Sequence, residues 1–116
     1  MVGVTSGGTL DIIPTIDSYI SQSSSGATFG TSATLSTSGL TNDNMRTLMK
    51  FDFSELLSTV DIISASLFMY HEKSTTAINP INTVIKAQRI TNTSWDEHTV
   101  TWDNQPAVTA TGMTTA

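Results

Sequence analysis

The sequence predicts an all-β protein, an antiparallel β-sandwich of jelly-roll type. Short runs of alternating apolar and polar residues recur between turn residues, which is the period-two pattern of half-buried strands. Threonine, valine and isoleucine are frequent, and their branched Cβ atoms pack well on a pleated surface. With 116 residues the chain is long enough for one domain and one core. We expect a flexible or assembly-held leader over residues 1–11 and a single sandwich domain over residues 12–116.

Five segments carry the strand pattern, at residues 12–20, 33–37, 46–53, 63–71 and 82–90. Pro14 marks an edge or a break in the first, because proline cannot donate to a strand ladder. The third alternates most clearly, and it places Phe51 and Phe53 on an apolar face opposite the face of Leu48.

The connections between these strands are polar. Loops are expected over residues 21–26, 39–44 and 74–80. Ser54 is a suitable N-cap for a single helical turn over residues 54–57.

The charge pattern excludes several classes of partner. The net charge is −5, and the five lysines and arginines are spread along the chain without forming a basic stripe. Nucleic acid is therefore not an expected partner, because binding it requires several phosphates to be neutralised. No apolar run approaches the roughly 20 residues of a membrane span. The chain has no cysteine, which removes disulfides and thiolate metal sites.

The order of its motifs makes the chain resemble the DNRLRE domain, a β-sandwich module of secreted and surface proteins related to carbohydrate-binding modules. The most specific motif is Trp-x-Glu-x-x-Val-Thr-Trp-x-x-Gln-Pro, over residues 95–106. Together with the earlier motifs, the resemblance covers about residues 15–106. It implies that ten residues form the structural signature of the module: Asp17, Tyr19, Gly30, Phe51, Asp52, Trp95, Glu97, Trp102, Gln105 and Pro106.

The chain departs from this family pattern after Pro106. Members of that family usually continue with further strands, whereas only residues 107–116 follow here, enough for one short strand. A sheet with missing strands leaves backbone donors and acceptors unpaired along an edge. We therefore expect a homo-oligomer or a larger assembly in which a partner chain completes that edge by strand addition.

The two tryptophans allow two interpretations. Trp95 and Trp102 are the glycan-binding candidates, because an aromatic face suits the C–H face of a pyranose. Aromatic residues also dominate core energetics, and the favoured interpretation is that both pack structurally. Seven residues apart in a strand, they would face opposite sides, so a shared platform requires a loop. Glu97 is expected to accept backbone hydrogen bonds within that loop.

Catalytic and cofactor chemistry is not expected. The chain has neither a Gly-x-Ser-x-Gly motif nor a suitable triad order, and Asp96 and Glu97 are adjacent, unlike a glycosidase pair. His71 and His98 lack metal-ligand spacing. Calcium is the one cofactor that the sequence leaves open, with Asp17, Asp43 and Asn44 as its candidate ligands. The alternative for these three is ordinary turn chemistry.

Two functions remain open. The favoured one is a non-catalytic structural or adhesive module on the exterior of an extracellular assembly, such as a virion decoration, fibre or tail protein. It is favoured by the Ser/Thr-rich composition, a start at Met1 without an export signal, and the missing closing strands. The alternative is a carbohydrate-binding module of a polysaccharide-active or cell-surface protein. Both place the protein outside the cell or on a virion surface.

Overall fold

The computed structural model describes residues 8–72 and 84–114, and within them the protein is all-β. The strands are β1 (Pro14–Ser21), β2 (Ser38–Leu40), β3 (Asp43–Phe51), β4 (Lys86–Ile90) and β5 (Val108–Thr114). They form a three-stranded sheet in the order β1-β3-β2 and a two-stranded sheet of β4 and β5. Every pairing is antiparallel, which confirms the predicted fold class. Among these residues no helix is long and apolar enough to cross a membrane.

β3 is the central strand of the larger sheet, and β1 pairs with most of its length. The pairing runs from Pro14 opposite Phe51 to Ser21 opposite Met45, with an irregularity after Pro14. Proline opens the strand, where its missing N–H disturbs the ladder least. The predicted strand over residues 12–20 is thereby confirmed to within two residues.

The prediction for residues 33–44 was wrong. The segment 33–37 forms no strand, and part of the predicted loop 39–44 belongs to a hairpin of β2 and β3. A two-residue connection, Thr41 and Asn42, joins the strands, and Asn42 has φ 62°. Asparagine tolerates this left-handed conformation better than most residues, so it favours the tight turn that brings β2 back onto β3.

The buried face of β3 is not the aromatic face that the alternation suggested. Leu48 is buried, whereas Phe51 is half-buried and Phe53 lies beyond the strand with its side chain mostly exposed. The pattern identified the strand and its two faces correctly. Which face became the interior depended on what packs against it, here the loop that carries the two tryptophans.

The core is small and joins both sheets to that loop. Ile20 of β1, Leu48 of β3 and Val100 of the loop are buried together. Ile90 at the end of β4 packs against them, together with Trp95 and Trp102. The long loop therefore supplies as much of the core as the strands do.

Two further predicted elements are absent from the described residues. Residues 54–57 form turns and no helix, and Asp52 accepts the hydrogen bond from the Ser54 N–H at 2.9 Å. This bond holds the pKa of the Asp52 carboxyl below its ordinary value. The predicted strand over residues 63–71 is not formed: these residues are exposed and belong to none of the strands of the described chain. The strand predicted over residues 82–90 is β4, with residues 82 and 83 outside the described ranges, and the loop predicted over 74–80 also lies outside them.

Candidate functional site

The candidate site is built on residues 91–107, the loop between β4 and β5. Its first part is a turn organised by Asp96. The Asp96 side chain accepts a hydrogen bond from the His98 N–H at 2.8 Å, and its carbonyl accepts from the Val100 N–H at 2.9 Å. Aspartate favours such a turn because its carboxylate reaches the backbone two residues ahead. The turn directs Val100 into the core.

Asn104 closes the second part of the loop. Its Oδ1 accepts from the Thr101 N–H at 2.7 Å, and its Nδ2 donates to the Thr99 carbonyl at 2.9 Å. The Asn104 side chain thus provides hydrogen-bond partners for the Thr101 N–H and the Thr99 carbonyl, which lie outside the strands. This part of the chain is therefore ordered by its own polar side chains, although it lies outside both sheets.

The loop places both tryptophans over the same face of β3. Arg46 lies over the Trp102 ring, with its guanidinium carbon 4.8 Å from the ring centroid. The Lys50 ammonium lies 5.1 Å from the centroid of Trp95. Arg46, Leu48 and Lys50 alternate along one face of the strand, so the buried leucine lies between two cation–π contacts. In a strand, Trp95 and Trp102 would face opposite sides. Because they lie in a loop, both rings can contact the same face of β3.

The two cations also fasten the loop through hydrogen bonds. Lys50 Nζ donates to the Trp95 carbonyl at 3.0 Å. Arg46 Nη1 donates to Gln105 Oε1 at 2.6 Å, and Gln105 Nε2 donates to the Trp102 carbonyl at 2.8 Å. Gln105 therefore connects β3 to the backbone beside the second tryptophan.

Glu97 holds the loop against β1. Its Oε2 accepts from the Asp17 N–H at 3.2 Å, and its Oε1 lies 3.5 Å from His98 Nε2. The donor belongs to a strand 80 positions away in the chain, not to the loop itself as the sequence suggested. Gly30 packs directly on the Glu97 backbone, and Tyr19 stacks on Phe29 with ring centroids 4.2 Å apart.

We expect the Glu97→Leu variant to be less stable than the native protein by about 1–3 kcal/mol, because it leaves the partly buried Asp17 N–H without its acceptor. Glu97→Gln is the matched control, since its amide oxygen can still accept that hydrogen bond. Urea unfolding followed by tryptophan fluorescence measures both. Equal stability of the leucine variant and the native protein would show that the bond contributes nothing.

A shallow surface depression lies beside Trp95. It has a volume of about 150 Å³ and is lined by Ser94, Trp95, Asp96, Thr99, Val100 and Asn104. Within the described part of the chain, the Ser94 and Thr99 hydroxyls have no hydrogen-bond partner, so they are available to a ligand. Trp102 does not line it. The depression thus brings Trp95 together with two hydroxyl groups that have no partner among the described residues.

The calcium candidates do not lie together. Asp17 is opposite Met49, six residues along β3 from Asp43, a separation of roughly 20 Å at the rise of a strand. Asp43 Oδ1 accepts from the Ser23 hydroxyl at 2.6 Å, and Asn44 Nδ2 donates to Gln22 Oε1 at 2.7 Å. Among residues 8–72 and 84–114, no three acidic or histidine side chains form a cluster that could hold a metal ion.

Sequence reasoning missed several residues of this site. The alternation of the third predicted strand places Arg46 and Lys50 on the face of Leu48, but no contact of either with a tryptophan was predicted. No binding role was predicted for Ser94, Thr99 or Asn104. Their signal is weak in the sequence, because serine, threonine and asparagine are common throughout the chain. Arg46 and Lys50 could have been found from the way they alternate with Leu48 in a chain that also carries a loop with two tryptophans.

Comparison with known proteins gives one match. The family model of carbohydrate-binding module family 96 matches residues 8–116, nearly the whole chain. No curated protein and no solved structure matches it. The match supports the carbohydrate-binding part of the resemblance seen in the sequence, while the DNRLRE label itself gains no separate support.

Proposed function

Because the chain belongs to carbohydrate-binding module family 96, we propose that it is a non-catalytic module that binds a polysaccharide outside the cell. Of the two functions that the sequence left open, the family favours the carbohydrate-binding module over the structural module of an assembly. The observation that carries the proposal is the depression beside Trp95, where the Ser94 and Thr99 hydroxyls have no hydrogen-bond partner among the described residues.

The chemistry of the depression suits a sugar. An aromatic ring presents negative charge at its face and attracts the weakly positive C–H groups of a pyranose. The Ser94 and Thr99 hydroxyls can each donate and accept hydrogen bonds, which matches the mixed donors and acceptors of sugar hydroxyls. No charged group has to change its protonation state for this binding, in keeping with a module that holds its ligand without altering it.

The size of the depression indicates how much of the ligand it contacts. About 150 Å³ is well below the roughly 300–1,000 Å³ of pockets that enclose a small-molecule ligand. We infer that one sugar ring is held here and that the rest of the polysaccharide lies along the surface. Trp95 is the residue that contacts the ring, while Trp102 has a structural role beneath Arg46.

The test uses the two hydroxyls, because their removal leaves the core intact. A Ser94→Ala, Thr99→Val variant is expected to bind its polysaccharide about 10-fold or more weakly than the native protein, as two hydrogen bonds are lost. A polysaccharide array identifies the ligand, and affinity electrophoresis on that polysaccharide compares the variants.

Thr31→Val is the matched control, since Thr31 is exposed and does not line the depression. Unchanged binding by the double variant would exclude this surface as the site. Absence of binding to every polysaccharide on the array would contradict the proposed function itself.

The assembly role that the sequence favoured is a second proposal, and one observation favours it. Residues 62–70 expose several large apolar side chains, which is unusual for a surface that meets only water. A module that binds a polysaccharide can also be part of an oligomer, so the two proposals are compatible. A virion exterior has no support beyond the sequence pattern.

A further inference from the structure

The residues that line the surface depression all belong to the loop 91–107, outside both sheets. Within the described chain, their hydrogen bonds stay inside this loop with one exception. The Asn104 side chain, for example, donates to the Thr99 carbonyl. The exception is the Trp95 carbonyl, which accepts from Lys50 Nζ at 3.0 Å. Lys50 is therefore the hydrogen-bonded link between the lining of the depression and the sheet.

Lys50 contacts Trp95 at two points. Besides its hydrogen bond to the carbonyl, its ammonium lies 5.1 Å from the centroid of the indole ring. The first contact fixes the backbone of the tryptophan and the second restrains its side chain. Lys50 itself lies on β3, the central strand of the larger sheet. Because strands are more rigid than loops, the ring is held against a firm part of the fold.

Arg46 holds Trp102 in a corresponding way. Its guanidinium carbon lies 4.8 Å from the centroid of the ring, and Gln105 connects its Nη1 to the Trp102 carbonyl. Trp102 does not line the depression. The protein thus contains two tryptophans that are held by similar contacts to the same strand, and only one of them belongs to the proposed binding surface.

We propose that Lys50 is a positioning residue of the polysaccharide site, holding the Trp95 indole in the orientation in which a sugar ring stacks on it. This inference rests on the proposed function. A ring that is already held before binding loses less conformational freedom when the sugar stacks on it, so the complex is tighter. Lys50 does not line the depression, and it therefore acts through Trp95 and not by contact with the sugar.

Affinity electrophoresis in native gels cast with xylan, mannan, β-glucan, pectin or alginate measures the effect on binding. On the polysaccharide that retards the native protein most, Lys50→Met is expected to bind about 3- to 10-fold more weakly, because the ring must then be ordered during binding. Lys50→Arg keeps a cation and hydrogen-bond donors, and it should bind within about 2-fold of the native protein. Arg46→Met is the matched control: it removes the corresponding contacts from Trp102, and its affinity should also stay within about 2-fold.

The outcomes separate the positioning role from the function on which it rests. Native affinity in Lys50→Met would overturn the positioning role and leave the polysaccharide site in place. The same holds for a loss of affinity in Arg46→Met or Lys50→Arg as large as that in Lys50→Met. A native protein that none of these gels retards would contradict the proposed function, and the positioning role with it.

A second measurement needs no polysaccharide. The two tryptophans give two indole N–H signals in ¹⁵N NMR spectra, and the relaxation of each signal reports the mobility of its ring. The order parameter of the Trp95 indole is expected to fall in Lys50→Met and to recover in Lys50→Arg, while that of Trp102 is unchanged in both. The same spectra show whether each variant is folded. A Trp95 indole that is as rigid in Lys50→Met as in the native protein would overturn the positioning role.

Discussion

A Gly30→Ala variant is expected to lose about 3 kcal/mol or more of its free energy of unfolding. A Cβ atom at this position would overlap the carbonyl oxygen of Glu97 and lie 2.5 Å from its carbonyl carbon. Backbone cannot rotate away as the end of a long side chain can, so the loop must move off β1. This displacement would also break the bond from the Asp17 N–H to Glu97 Oε2.

Gly26→Ala provides the matched control for this prediction. No atom lies within 4 Å of a Cβ built on Gly26, and the residue is in the preceding turn. Its stability should stay within about 0.5 kcal/mol of the native protein or rise slightly, because alanine restricts the unfolded chain. Urea unfolding of both variants gives the comparison. If the two glycine variants were equally stable, the close approach of Gly30 to the loop would not exist in solution.

The Leu48→Ala variant is expected to be destabilised by about 2–5 kcal/mol. Leu48 is only 6% exposed and packs with Ile20 and Val100 in a cluster bordered by both tryptophans. Among the described residues the buried apolar core consists of Ile20, Leu48 and Val100, so removing the Leu48 side chain leaves a cavity with few neighbours that can move to fill it. The same truncation at Leu57, which is 48% exposed, should cost less than about 1 kcal/mol.

Tryptophan fluorescence during urea unfolding reports on both leucine variants and on the loop itself. Because Arg46 and Lys50 flank Leu48 on β3, the cavity also loosens the two cation–π contacts. We therefore expect the folded Leu48→Ala protein to show altered tryptophan emission before any unfolding occurs. Unchanged emission and native stability together would contradict the central position of Leu48.

The motif at residues 95–106 holds the fold together, and it also borders the proposed sugar-binding surface. Trp102, Glu97 and Gln105 hold the loop to β1 and β3. Trp95 does so as well, and it also borders the surface depression. A signature of this kind is therefore structural in most of its members, and the proposed contact with a sugar rests on one of its two tryptophans.

The sequence by itself determined the class of structure and the position of most strands. Alternation is a local property that follows from the two-residue repeat of a strand, so β1, β3 and β4 were predictable from residues close together in the chain. The motif at residues 95–106 was likewise sufficient to indicate a carbohydrate-binding relative.

Only the tertiary structure decided which surfaces are buried. Alternation defines two faces of β3, but the interior is the face that the tryptophan loop covers, and that loop is held by Glu97 to a residue 80 positions away. Arg46 and Lys50 can share this face with Leu48 because their charged ends lie over the rings of Trp102 and Trp95. For the same reason residues 63–71, whose pattern predicts a strand, form none in the described structure: alternation is local, whereas a strand also needs an edge to pair with.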